Sequence, residues 1–176
     1  MTEGVVNGTR FFIIGFMGVG KSTVGRGVAR RLGVPFYDLD EEIEQDMGKK
    51  IHDIFDAVGE GSFRAIETER LREIVKREPG VIATGGGTFT RPENREIIGS
   101  SGVSVWLDAP TELVVERGAR GQHRPLWRNT EQVRALLDER LPDYRKADIR
   151  FDMNALPLAK VTARLANLLE SYCKNR

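Results

Sequence analysis

Gly15-Phe16-Met17-Gly18-Val19-Gly20-Lys21-Ser22 has the spacing G-x-x-x-x-G-K-S, the phosphate-cradling P-loop pattern. The chemistry follows from the residue types. Glycines let successive backbone N–H groups turn inward around phosphate oxygens. A helix beginning at the end of the loop adds partial positive charge. Lys21 is placed to reach the β- and γ-phosphates of a nucleotide, and the Ser22 hydroxyl to ligate Mg²⁺. Gly18, Val19, Gly20 and Thr23 complete the stretch expected to face ATP. The plainer alternative is a glycine-rich strand-to-helix turn with a chance lysine. The apolar run before the loop and the helical pattern after it argue for the phosphate reading.

Four other constellations could do chemistry. Asp38-Leu39-Asp40 ends a short apolar segment. In an open α/β sheet, ligands bind outside the carboxyl ends of strands. If the segment stays extended, both carboxylates fall on one side. One could support hydrated Mg²⁺ beside Ser22, and the other could orient an acceptor hydroxyl and take its proton. The alternative is that one of them merely caps the next helix, a role that suits Asp40. Arg64, after Phe63, stands in what reads as the first turn of a long helix, where the dipole favours acids, so a bound anion or simple solvation must explain it. Gly85-Gly86-Gly87 at a strand end suggests close approach of backbone to a ligand, or a tight turn. Gly118 to Asn129 sets Arg120, Arg124 and Arg128 among glycines, as a closing lid over phosphates or a solvated loop would. Arg124-Pro125-Leu126 is its best functional candidate, because proline stiffens the chain beside the arginine. His52 and His123 lack metal spacing and read as surface residues; Trp106 and Trp127 read as packing.

The elements that must position these residues alternate. Strands are expected at 11–14, 36–39, 81–84, 103–107 and 149–152. Helices are expected at 23–32, from 41 to a stop near Gly48, 51–58 closed by Gly59, about 62–77, from Pro92 to before Gly102, 111 to about 117, 131 to about 144, and a closing helix marked by Leu158, Val161, Leu165, Leu168 and Leu169. Such alternation predicts a three-layer α/β/α domain with a parallel sheet covered on both faces.

Length and composition narrow the class. The chain has 176 residues, 40% hydrophobic and 30% charged, with formal net charge +1. That suits one domain with a real core and gives no global signal for nucleic acid or a membrane surface. Cys173 is the single cysteine, so no intrachain disulfide is possible, which fits a reducing cytosol. No apolar run is long enough to span a bilayer, and no secretory signal is visible at the start. A cytoplasmic monomer is expected.

Taken in order, these pieces resemble the shikimate kinases from about Phe11 to Leu169. The resemblance rests on Gly-Phe-Met-Gly-Val-Gly-Lys-Ser-Thr at 15–23, Asp-Leu-Asp at 38–40, Ile-Phe at 54–55, Gly-Glu-Gly-Ser-Phe-Arg at 59–64, Gly-Gly-Gly at 85–87, Arg-Pro-Leu at 124–126 and Arg-Leu-Pro-Asp-Tyr-Arg at 140–145. It implies a P-loop fold with five parallel strands in the order 2-3-1-4-5. It implies transfer of the ATP γ-phosphoryl group to the shikimate 3-hydroxyl, on the route to chorismate and aromatic amino acids, with Mg²⁺. By position, Lys21 and Ser22 serve nucleotide and metal, Asp38 supports the metal's waters, and Asp40 deprotonates the hydroxyl. Arg64 and Arg140 clamp the shikimate carboxylate; Gly85, Gly86 and Gly87 offer backbone. Arg124 is the lid arginine, and Arg117 and Pro157 bracket adenine. Residues 40–77 are then a substrate-binding segment and 117–129 a lid. Trp127 departs from the smaller apolar residue usual there. Two other functions stay open: a kinase for another acceptor, such as gluconate or a nucleoside monophosphate, and a related binding protein without catalysis.

Overall fold

The computed structural model of the chain describes residues 6, 8–119, 130–154 and 156–175. Five parallel strands form one sheet: β1 (Phe11–Ile14), β2 (Phe36–Asp38), β3 (Val81–Ala83), β4 (Val103–Asp108) and β5 (Ile149–Asp152). Their order is β2-β3-β1-β4-β5, as the resemblance implied. Every residue of β1 is buried, which is why it reads as a continuous apolar run rather than an alternating one. Helices α1 (Lys21–Leu32), α2 (Leu39–Met47), α3 (Ile51–Ile74), α4 (Pro92–Ser101), α5 (Thr111–Ala119), α6 (Thr130–Tyr144) and α7 (Leu158–Lys174) cover both faces. A short 3₁₀ turn, Thr88–Thr90, follows the triple glycine and was not expected.

Strand register sets the geography of the site. Ile13 of β1 lies opposite Ala83 of β3, and Ala83 lies opposite Asp38 of β2. The loop after β1, the end of β2 and the glycines after β3 therefore leave the sheet side by side at one carboxyl edge. The neighbours of β1 are β3 and β4, so the chain reverses its direction of winding there, and that crevice is where ligands sit in such sheets.

Several local expectations need correction. Helix α1 starts at Lys21, two residues earlier than expected, so the lysine is itself in the first turn. The extended segment ends at Asp38, not Leu39. The N-cap of α2 is Asp38, not Asp40: Asp38 Oδ1 accepts from the backbone N–H groups of Asp40 (3.1 Å) and Glu41 (3.2 Å). Strand alternation therefore does not relate the two carboxylates; a cap does, and such a cap stabilises by about 1 kcal/mol. Residues 51–74 run as one helix interrupted at Gly59, whose φ of 77° and ψ of 166° break the helical path. Beyond Ile74, Lys76 and Arg77 donate only to carbonyls three residues back, so the helix tightens and stops before Arg77. Arg64 follows the Gly59 break by more than a turn, so the argument from a helix's first turn does not hold for it.

Candidate active site

The phosphate loop has the geometry its glycines were expected to provide. Gly15, Gly18 and Gly20 all have positive φ (140°, 78° and 102°), a region costly for residues with a Cβ. Gly20 caps α1 with no side-chain hydrogen bond, and no acid stands in the first turn. The first N–H groups of the helix thus have no capping side chain and no carboxylate of their own turn to compete with an anion. Lys21 is only 8% exposed, and its Nζ donates to the Gly15 and Phe16 carbonyls, each at 3.0 Å. These bonds hold the ammonium over the loop. Ser22 and Thr23 are exposed at the same end.

Asp38 is 7% exposed, and while Oδ1 caps α2, Oδ2 is buried with no hydrogen-bond partner. A buried carboxylate oxygen without a donor is costly, so the position suits a ligand supplied from outside the chain. Among the described residues no group of three or more His, Cys, Asp or Glu could hold a metal. That is compatible with a cation bound through one or two protein oxygens, phosphates and water, as Mg²⁺ is.

Several charged side chains meet at the triple glycine. None of its members has positive φ, so conformational freedom is not the reason for glycine here. Crowding is. A Cβ on Gly85 would fall 2.5 Å from Glu67 Oε1 and 3.0 Å from Asp40 Oδ1. One on Gly87 would fall 2.6–2.7 Å from the guanidinium atoms of Arg64, and one on Gly86 3.3 Å from Arg140 NH1. Asp40, Arg64 and Arg140, distant in sequence, therefore converge on three consecutive glycines. Arg140 NH1 is buried without a hydrogen-bond partner, and its guanidinium lies 5.7 Å from the centroid of the Phe16 ring in the phosphate loop. A cavity of about 360 Å³ opens beside the pair, lined by Arg64, Arg140, Thr90, Arg91, Leu136 and three acids.

A buried polar network underlies this turn, and the sequence reading missed it. Arg64 NH1 donates to Glu67 Oε2 at 2.5 Å. Glu67 is 1% exposed, and its Oε1 accepts from the Thr88 hydroxyl at 2.7 Å. Asn94 Nδ2 donates to the Thr88 carbonyl, and the Thr68 hydroxyl reaches both the Asn94 side-chain oxygen and the Arg64 carbonyl, each contact 2.9 Å. Glu67 thus balances part of the charge of Arg64 and fixes the direction of its fork. The signal was available: Glu67 lies four residues after Phe63 and four before Leu71, on the inward face of α3, where an unpaired acid would not be tolerated.

The remaining expected positions divide. Pro157 is exposed and caps α7. Trp106 is buried and packs on Tyr144, and His52 is exposed beside Asp53, as read from sequence. Arg124, His123, Trp127 and the rest of the expected lid from 120 to 129 lie outside the described residues, as does the Arg117 side chain.

Comparison with known proteins points one way. A family model described as shikimate kinase matches residues 17–170. The shikimate kinase of Caulobacter vibrioides (strain NA1000 / CB15N) is 39% identical over 164 residues, spanning 91% of this chain and 82% of that one. The structure of the Acinetobacter baumannii shikimate kinase in complex with shikimate superposes with a TM-score of 0.90 at 36% identity, covering 98% of each chain. That of the Bacteroides thetaiotaomicron shikimate kinase gives 0.85 at 32% identity, covering 92% of this chain and 98% of that one. A phosphate loop beside an acid and two converging arginines, on this strand order and with these relatives, means that the chain belongs to the shikimate kinase family.

Proposed function

We propose that this chain transfers the γ-phosphoryl group of ATP to the 3-hydroxyl of shikimate, with Asp40 as the base and Arg64 and Arg140 as the carboxylate clamp. The reaction goes with the family, on the route to chorismate and the aromatic amino acids. The observation that carries the residue roles is the convergence of Asp40, Arg64 and Arg140 on Gly85–Gly87, with Arg140 NH1 buried and unpartnered. A substrate bearing both a hydroxyl and a carboxylate gives that convergence a purpose, because a guanidinium fork matches a carboxylate in two parallel hydrogen bonds.

In the transfer, the bond between the γ-phosphorus and the β–γ bridging oxygen breaks and a bond to the shikimate oxygen forms. The hydroxyl proton passes to Asp40, and ADP leaves. The N–H groups of Gly18, Val19, Gly20, Lys21, Ser22 and Thr23 hold the phosphates, and the Lys21 ammonium sits against the β- and γ-groups. Ser22 and the open Oδ2 of Asp38 are the oxygens that would hold Mg²⁺ or its waters, and the cation would supply positive charge against the phosphates. Arg117 and Pro157 bracket the adenine, and Arg124 closes over the phosphates. Residues 40–77 form the substrate-binding segment of a single domain, and 117–129 its lid. No helix among the described residues is long and apolar enough to cross a membrane. The formal net charge of +1 and the single cysteine support our placing the enzyme in the cytoplasm without a nucleic-acid partner, and we take it to act as a monomer.

The test is ADP release with ATP, Mg²⁺ and a panel of shikimate, its carboxamide, quinate, gluconate and nucleoside monophosphates. Shikimate should be the strongly preferred acceptor and the carboxamide a poor one. Equal turnover of acid and amide would remove the carboxylate clamp from the account.

A further inference from the structure

Tyr144 has no role so far, and its contacts exceed what packing needs. The ring is buried beside Trp106, with centroids 6.1 Å apart. Its hydroxyl donates to the Gly86 carbonyl at 2.6 Å. In a trans peptide the C=O and the following N–H lie in one plane and point in opposite directions. Holding the Gly86 oxygen therefore also holds the Gly87 N–H. Among the described residues, neither the Gly86 nor the Gly87 N–H donates a hydrogen bond. Gly87 lies against the Arg64 guanidinium. Tyr144 stands four residues after Arg140 on α6, so the two side chains share a face of that helix. One hydroxyl thus ties the helix that carries Arg140 to the turn that faces Arg64.

We infer that Tyr144 is a positioning residue whose hydroxyl fixes the Gly86–Gly87 peptide and the spacing between Arg140 and Arg64, so that the Gly87 N–H and both guanidiniums address one anionic substrate. The inference rests on the assignment of this site to shikimate. Phenylalanine would pack equally well on Trp106, so the hydroxyl is the part that packing does not account for. The phenol suits the task, because burial above all pushes its pKa up to about 12, and it stays a donor at every physiological pH.

Tyr144→Phe tests this by steady-state ADP release with shikimate and ATP varied separately, alongside thermal melting. The Michaelis constant for shikimate should rise about three- to tenfold, the range for one neutral hydrogen bond. The constant for ATP and kcat should stay where they are. A merely structural tyrosine would not separate the two substrates. An unchanged shikimate constant, or a loss shared equally with ATP, overturns the inference while leaving the site assignment standing. A wild type that does not turn over shikimate overturns both. Should Tyr144→Phe fail to fold, 3-fluorotyrosine at position 144 keeps the shape and lowers the phenol pKa. The shikimate constant should then climb at an alkaline pH where that of the unmodified protein is flat, and identical pH profiles overturn the inference.

Discussion

Alanine at Gly87 asks whether the triple glycine exists so that Arg64 can lie against the backbone. The new methyl would sit 2.6 Å from one terminal guanidinium nitrogen and 2.7 Å from both Cζ and the other. Comfortable contacts with carbon lie at about 3.5–4.0 Å, so the guanidinium must withdraw by roughly 1 Å. It cannot do so freely, since Glu67 holds NH1 at 2.5 Å and Thr88 holds Glu67. The backbone does not demand glycine, because Gly87 has φ −101° and ψ −6°, a negative-φ turn conformation open to alanine. The damage therefore falls on the aim of the fork and not on the fold. Hydrogen bonds to charged groups contribute about 1.5–3 kcal/mol, and misaiming one set costs roughly ten- to a hundredfold in affinity. Steady-state kinetics on Gly87→Ala should show that loss in the shikimate constant, with the ATP constant unchanged and the melting temperature nearly so. Gly86→Ala, whose methyl meets Arg140 NH1 at 3.3 Å and Met17 N at 3.1 Å, should lose less. A folded Gly87→Ala with a wild-type shikimate constant would refute the placement of Arg64 as the carboxylate ligand.

Lys21→Ala should fold, since alanine keeps helix propensity at the start of α1, yet release almost no ADP; near-normal release would remove the phosphate-loop account. Asp38→Asn should weaken the Mg²⁺ dependence while keeping α2 capped, whereas Asp38→Ala should add a stability loss of about 1 kcal/mol in denaturant melts. Asp40→Asn should lose rate but retain ATP binding; matching Mg²⁺ titrations for the two asparagine variants would merge roles kept separate above. Tyr144 also predicts an alkaline signature. Its pKa is about 12 in the native state against 10.0 without burial, so between those values the native state holds a proton that the unfolded chain has lost. Stability must then fall as pH rises through that window, by about 2–3 kcal/mol in all. Tyr144→Phe should lack that component, and parallel pH–stability curves for the two proteins would contradict it.

The strands were legible because both faces of this sheet are covered, so Phe11–Ile14 appears as an unbroken apolar run and Val103–Leu107 as one interrupted only by Ser104. The phosphate loop was legible because positive φ demands glycine at fixed offsets. Where the reading failed, a side chain overrode a local pattern. Asp38 ended the extended segment by capping α2, which no alternation rule contains. Arg64 looked misplaced because the helix was started too late, and its acid, Glu67, went unnoticed on the inward face. The glycines at 85–87 were noticed as a point of close approach, but the side chains that approach them within the chain were not foreseen. The chain's own Arg64, Glu67 and Asp40 crowd them before any ligand arrives. Arg140 and Pro157 had no local signal and entered only through resemblance to relatives.

The strand order also dictates when this molecule can be finished during synthesis. Of the five described strands, the first to be made is the innermost, and its partners are residues 81–83 on one side and 103–106 on the other. At about 5–20 residues per second, Phe11–Ile14 waits roughly 4–18 s between its own synthesis and that of its second neighbour. Until residues 81–83 are made it has no strand to pair with, and until 103–106 follow one of its edges stays open; such nascent surface is what chaperones bind. The strand that carries the nucleotide loop is thus made first and enclosed late, so catalytic competence comes as one of the last events of folding.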